Sequence, residues 1–280
     1  MHLINKLFGN KTIRTVWDKT DEKYYISVVD MVEVLSESEN PRDYWYKVKK
    51  RAKLDEKIEL STICRQLKLK AKDGKYRLTD VVDIKGMFRI IESIPSKNAE
   101  SIKLWLARLG SERIDETFDP SIAVKRAIDI YRAKDYDENW ITKRIKGIQD
   151  RKKLTDLWKE NGVTKEVEYA ILTNEIYKEW SGMTAKDYKE YKGLRKESLR
   201  DNMSDLEVLL VNIGEITTKE LAREHKPNGL EQNIKVAKIG GSIAKNTRNN
   251  IEKELGKTVI TNENNLNYKY KNTDNLIKNK

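Results

Sequence analysis

Between positions 42 and 77 thirteen Lys or Arg stand against five Asp or Glu, an excess of +8, whereas residues 1–41 and 78–118 come out at −2 and −1. Positive charge confined to one short piece of chain is the footprint of a polyanion-binding surface. Ammonium and guanidinium groups neutralise phosphates and release the counterions condensed on them. Residues 42–53 carry Arg42, Lys47, Lys49, Lys50, Arg51 and Lys53 with Tyr46 among them, and Asp43 is the only acid there. The second half carries Arg65, Lys68, Lys70, Lys72, Lys75 and Arg77 around an Asp73-Gly74 pair. These are the candidate nucleic-acid contacts. Arg42 has two readings that both stand: a bidentate reader of guanine, or the ion-pair partner of Glu39 or Asp43. Tyr44 and Trp45 could stack on bases, but their helical spacing reads as core.

The elements that must position these groups can be read from local signals. Ile13–Trp17 and Tyr24–Ser27 predict a hairpin across the polar turn 19–23. Ser27 with Asp30 fits a capping box at the head of a helix whose apolar set is Val28, Val29, Met31, Val32 and Leu35. Asn40 as N-cap and Pro41 at the first helical position open the basic helix. Tyr44, Trp45 and Val48 share one face of it, so the basic side chains fall on the others. A strand from Ile63 to Leu69, a turn at Asp73-Gly74 and a return from Tyr76 to Thr79 predict a second hairpin with basic arms. It reads as a wing along the nucleic-acid backbone or as a sheet edge protected by lysines. Asp83 caps a helix ending near Pro95, and another runs from about Asn98 to Asp115, with Trp45 and Trp105 both expected in the core. Residues 11–116 thus form an α+β domain of two hairpins and two helix pairs, the first pair resembling a helix–turn–helix.

Asp119-Pro120 marks a boundary, and an all-α domain follows over 119–256. Its expected helices are 120–134, 137–159, 164–180, 184–191, 204–224 and 229–256. The last looks polar and interrupted at Gly240-Gly241, so it should dock late, lean on 204–224 or pair with a second chain. That expectation suggests a homodimer held by 119–256. Residues 257–280 read as a disordered tail, Asn- and Lys-rich from Asn262. Formal charge is +11, shared between residues 1–118 (24 basic, 19 acidic) and 119–280 (32 basic, 26 acidic). Net charge alone therefore does not say which half binds. Lys143, Arg144, Lys146, Arg151, Lys152 and Lys153 against Asp150 make a second patch of +5 in eleven residues. It reads as a second nucleic-acid surface, a docking face for an acidic protein, or a solvated helix face.

In chain order, Tyr25-Ile26-Ser27-Val28-Val29-Asp30-Met31-Val32-Glu33-Val34-Leu35, Asn40-Pro41-Arg42-Asp43-Tyr44-Trp45, Leu78-Thr79-Asp80-Val81-Val82-Asp83 and Lys103-Leu104-Trp105-Leu106-Ala107 resemble the Bro-N domain of phage antirepressors and viral BRO proteins. Arg151-Lys152-Lys153-Leu154-Thr155-Asp156-Leu157-Trp158, Tyr169-Ala170-Ile171-Leu172-Thr173-Asn174-Glu175 and Leu199-Arg200-Asp201-Asn202-Met203 are similar to the prophage-borne group of DNA-damage-inducible protein D. The resemblance implies DNA binding by the first domain and a regulatory role in phage or stress-response circuits. It implies no residue roles in the second half.

Catalytic chemistry finds little footing. Cys64 is the only cysteine and His2 and His225 the only histidines, so neither a thiolate nor a paired-imidazole metal site is expected. Gly240-Gly241-Ser242 lacks the spacing of a phosphate loop. Glu190-Tyr191-Lys192 has the Glu-x-Lys spacing of some nucleases but no partner Asp or strand. No cofactor, metal or catalytic set is expected. No apolar run approaches the roughly 20 residues of a membrane span, and a lone thiol suits a reducing, cytoplasmic setting. The expected function is a DNA-binding regulator of the antirepressor type. The alternative is an inhibitor that blocks a repressor or DNA-processing protein, with DNA contact secondary.

Overall fold

The computed structural model describes residues 8, 11, 13–55, 57, 59–71 and 73–265. The chain divides into two compact units that part between Ala127 and Ile128.

The first unit is α+β. Strands β1 (Thr15–Asp18) and β2 (Lys23–Ser27) form the first hairpin, and helices α1 (Val28–Ser36) and α2 (Pro41–Asp55) follow. After a 3-10 turn at Leu60–Ile63 come β3 (Arg65–Lys70), β4 (Tyr76–Val82), α3 (Ile84–Glu92) and α4 (Lys97–Phe118). The second hairpin therefore starts at Arg65, because Leu60 is drawn into the core and curls the chain before it extends. All pairings in the sheet β1-β2-β4-β3 are antiparallel. β4 meets β2 only at Val81 and Val82 but pairs with β3 over six positions. Most of the β3–β4 hairpin is thus a two-stranded ribbon projecting past β2.

Local chemistry sets the helix starts. Ser27 accepts from the Asp30 amide at 3.4 Å, Asn40 from the Asp43 amide at 3.2 Å and Asp83 from the Gly86 amide at 2.9 Å. The expected capping box at Ser27 is half made. Asp30 turns instead to Arg14, accepting from its backbone amide at 3.0 Å, Nε at 2.7 Å and Nη2 at 2.6 Å. Burial would raise the Asp30 pKa, but these bonds outweigh it and hold the carboxyl below the ordinary range. Trp45, Val48 and Ala52 of α2 lie in the core with Val82, Met87, Ile90 and Ile91. Trp105 is only partly buried, tilted against Phe88 with ring centroids 5.9 Å apart at the rim of the core.

In the second unit every described element is helical: the end of α5 (Ser121–Ala133), then α6 (Glu138–Glu160), α7 (Glu166–Ser181), α8 (Ala185–Tyr191), α9 (Asp205–His225) and α10 (Gly229–Leu255). α10 is one uninterrupted helix, which overturns the expected break. Gly240 and Gly241 are where α7 and α9 come closest to it. A Cβ on Gly240 would sit 2.1 Å from Thr218 Oγ1, and one on Gly241 2.9 Å from the Ile176 carbonyl oxygen. With Val236, Ala237 and Ala244 also buried, α10 belongs to the core of its own chain. Its few large apolar residues reflect close helix approach rather than a missing partner.

The expected tail is also corrected over residues 257–265. Val259 is buried, the Glu263 carbonyl accepts from Lys192 at 2.8 Å, and Asn264 and Asn265 bond to the Lys192 and Asp201 carbonyls at 2.7 and 2.8 Å. Asparagine side chains here satisfy backbone groups that the helices leave open. The remainder of the expected tail, 266–280, lies outside the described residues.

Candidate nucleic-acid interface

Helical spacing divides the cations of α2 into two sets. Arg42, Tyr46, Lys49 and Lys53 recur at i, i+4, i+7 and i+11, so they run in one stripe beside the buried face, with Lys50 at its border. Lys47 and Arg51 fall on the other flank. Lys47 pairs with Asp43 at 2.7 Å, and Arg51 donates to the Ser93 carbonyl at 2.9 Å, tying α2 to the end of α3. Tyr46 is 61% exposed while Trp45, its neighbour, is 3% exposed. Trp45 is therefore a core residue.

Asp80 joins the stripe to the ribbon. It accepts from Trp45 Nε1 at 2.9 Å, Gln66 Nε2 at 3.2 Å and Lys49 Nζ at 3.4 Å, and Lys49 also sits 5.2 Å from the Trp45 ring centroid. Burial would raise the Asp80 pKa, but these donors win and hold it below the usual carboxylate range. One carboxylate thus sets the position of α2 against β3 and β4. A cavity of about 270 Å³ opens beside it, lined by Arg42 and Trp45 from the helix and Leu78 and Thr79 from the strand.

On the ribbon Lys68 lies opposite Leu78 and Lys70 opposite Tyr76. Cross-strand partners share a face, and Leu78 and Tyr76 are 62% and 69% exposed. This face presents two lysines beside an aromatic and an aliphatic side chain. Arg65 pairs with Val81 and so lies on the opposite face, bonded to Asp18 at 3.1 Å and Asp21 at 2.9 Å and over the Tyr25 ring at 5.4 Å. Arg77 is likewise off the lysine face, donating through Nη1 and Nη2 to Asp73 at 2.7 and 2.6 Å across the turn. Gly74, at φ +81°, makes that turn possible.

The thirteen sequence candidates separate accordingly. Arg42, Lys50, Lys68, Lys70 and Lys75 have no side-chain partner among the described residues. Lys53 holds Glu59 at 3.3 Å with both groups more than half exposed. Lys47, Arg51, Arg65 and Arg77 serve intramolecular contacts, and Lys72 lies outside the described residues. Arg42 pairs with neither Glu39 nor Asp43. Cys64, beside this site, donates to the Leu60 carbonyl at 3.3 Å. Burial, followed by the Asp80 charge, pushes its thiol up to about 12, so it stays protonated and unreactive.

Four of the six cations of the second patch are engaged within the helical domain. Arg144 pairs with Asp201 at 2.7 Å and Arg151 with Glu215 at 2.8 Å, where Arg200 also binds. Lys152 and Lys153 pair with Asp156 and Asp150 on α6. The Glu-x-Lys spacing has a structural explanation too. Lys192 is fully buried and bonded to Glu207 at 3.0 Å, which also accepts from Tyr188 and from the Ser204 amide at 2.6 Å. Sequence could mark Glu207 as a capping-box residue after Ser204; its second role needed the tertiary fold. Among the described residues no helix is long and apolar enough to cross a membrane.

Residues 12–114 match the BRO family, N-terminal domain, and residues 135–269 match the DinD C-terminal domain. The chain belongs to the Bro-N and DinD-like antirepressor family. No curated protein matches the sequence. The Bro-N match spans the sheet, α1, α2 and the ribbon, so the candidate interface lies wholly inside it. The DinD match spans α6 to α10 together with the strap 257–265. Both families are regulatory, and the two domain matches suggest an antirepressor-like regulatory protein.

Proposed function

We propose that the Bro-N domain binds duplex DNA through the α2 stripe and the lysine face of the ribbon. The observation that carries this is their junction at Asp80, which fixes a helix and a projecting two-stranded ribbon, the two elements a major groove admits, side by side with their unpaired cations exposed. Lys50, Lys53, Lys68, Lys70 and Lys75 would neutralise phosphates and set register. Arg42, in the first turn of α2, stands where a groove-bound helix reaches base edges. Tyr46 and Tyr76 supply flat apolar contact. Lysines on β3 also protect a sheet edge, but edge protection alone leaves the exposure of Tyr76 and Leu78 unexplained. The regulatory output would be DNA-level control of the antirepressor kind.

The five lysines set against phosphates give the test its size. Titration onto a labelled duplex at rising salt should show log affinity falling with a slope of about −4 to −5, at about −0.9 per phosphate contacted. A salt-independent affinity overturns the proposal. A homodimer through the helical half would place two such surfaces on adjacent half-sites. α10 itself supplies no argument for one, since its buried face is covered by α7 and α9.

A further inference from the structure

We propose that the groove between α6 and α9 receives an amphipathic helix of a protein partner, one with an apolar stripe and acidic flanks. The inference is independent of the DNA reading. The groove encloses about 490 Å³ within the helical unit. One wall is Trp140, Lys143 and Gly147 on α6, and the other is Leu209, Asn212 and Ile216 on α9. Each set recurs at i, i+3 and i+7, which at 1.5 Å per residue is a trough about 10 Å, or two turns, long. That is the length over which a docked helix places anchors at i, i+4 and i+7. Leu209 and Ile216 are 47% and 45% exposed.

Gly147 is informative. A glycine inside a helix costs about 1 kcal/mol relative to alanine, and a Cβ there would meet nothing within 4 Å. No neighbour requires the missing side chain, in contrast to Gly240. What Gly147 provides is an open stretch of that wall of the trough. The end wall is already rigid: Trp140 stacks on Tyr136 with ring centroids 3.8 Å apart and meets Tyr131 edge-on at 5.3 Å. Tyr136 is itself held by donating to the Asp201 carbonyl. A preformed aromatic wall lowers the ordering cost of binding.

Charge selects the partner. On the rim, Arg144, Asp150, Glu215 and Lys219 are paired with Asp201, Lys153, Arg151 and Glu220. Asp205 sits in the first turn of α9, where the helix dipole favours it. Lys143 and Lys146 have no partner among the described residues. An apolar trough edged by two unsatisfied lysines fits acidic residues flanking an apolar stripe. Two cations beside an apolar floor fit a nucleic-acid backbone poorly.

The test is selection of displayed short helices, carrying Leu at i, i+4 and i+7 and randomised Glu, Lys, Ala or Gln elsewhere, on the full chain. Gly147→Leu is the control, because it fills the trough, keeps every charge and favours the helix; its folding is checked by melting temperature. The expected result is enrichment of Glu-rich helices that bind Gly147→Leu at least about tenfold more weakly, about 1.4 kcal/mol. A Lys143→Glu, Lys146→Glu chain should select Lys-rich helices instead. Four results overturn the proposal: no enrichment, Lys-rich winners on the wild-type chain, equal binding to Gly147→Leu, or self-association of the chain that Gly147→Leu abolishes, which would give the trough to a second copy.

Discussion

Two glycines inside helices of the same domain should respond to the same substitution with opposite signs. At Gly240 an added Cβ would lie 2.1 Å from Thr218 Oγ1, 2.7 Å from the Gly214 carbonyl oxygen and 2.9 Å from the Thr218 nitrogen. The hydroxyl cannot simply rotate away, since it is buried and donates to Gly214 O at 2.7 Å. The other two atoms are backbone, so α9 and α10 must separate. Overpacking of this kind costs about 1–3 kcal/mol, and stranding the Thr218 hydroxyl adds about 1–3 kcal/mol. Helix propensity returns about 1 kcal/mol. Gly240→Ala should therefore destabilise the domain by about 1–5 kcal/mol, a fall of roughly 3–15 °C at about 3 °C per kcal/mol. Gly147→Ala meets no atom within 4 Å and should raise stability by about 0.5–1 kcal/mol, or about 2–3 °C. Scanning calorimetry of the full chain reads both. If Gly240→Ala melts with or above the wild type, the close approach of α9 and α10 is wrong.

Asp80→Asn should cost about 1 kcal/mol at neutral pH, the Lys49 ion pair being partly exposed and discounted for solvent. Because the folded Asp80 carboxyl titrates below its unfolded value of about 3.9, its contribution is present above that pH and lost as pH falls through the folded value. Urea unfolding curves of the two proteins should converge as pH falls below about 4; a gap of constant size would refute the role given to Asp80. Ending the chain at Gly256 removes buried Val259 and the Thr261 amide and Glu263 carbonyl that complete the Lys192–Glu207 pair. A loss of about 3 kcal/mol should follow, and an unchanged urea midpoint would show that the strap contributes nothing.

What could be read in the chain beforehand was what local chemistry decides. Asp137, Thr184 and Ser204 cap α6, α8 and α9 through side chains three residues from their targets, and such signals are visible in any window. Gly182 and Gly256 close α7 and α10 in the left-handed conformation. The same kind of reasoning misjudged Gly240-Gly241, because a small residue reads as a break unless the helix pressed against it is known. It misjudged the strap too, since the groups that Asn264 and Asn265 satisfy lie more than sixty positions earlier. At the interface the position of the charge excess was legible. Which cations were already engaged was not: Arg51 meets the Ser93 carbonyl, Arg65 meets Asp18, and Lys49 meets Asp80, each across separate elements. Asp80 itself carried no local signal, as its importance lies in bringing α2 to the ribbon.

The most direct test of the central claim compares two quadruple variants that change net charge equally. Arg42, Lys50, Lys68 and Lys70 replaced by Gln remove the unpaired surface, whereas Lys47, Arg51, Arg65 and Arg77 replaced by Gln remove cations held by the fold. Duplex affinity is measured against salt for each, with melting temperatures to confirm folding. The first set should weaken binding and flatten the salt slope by about 2–3, at about 0.9 for each phosphate that Lys50, Lys68 and Lys70 leave unneutralised, while the second leaves the slope near that of the wild type. Equal slopes for the two folded variants would contradict the assignment of the α2 stripe and ribbon as the DNA-binding surface.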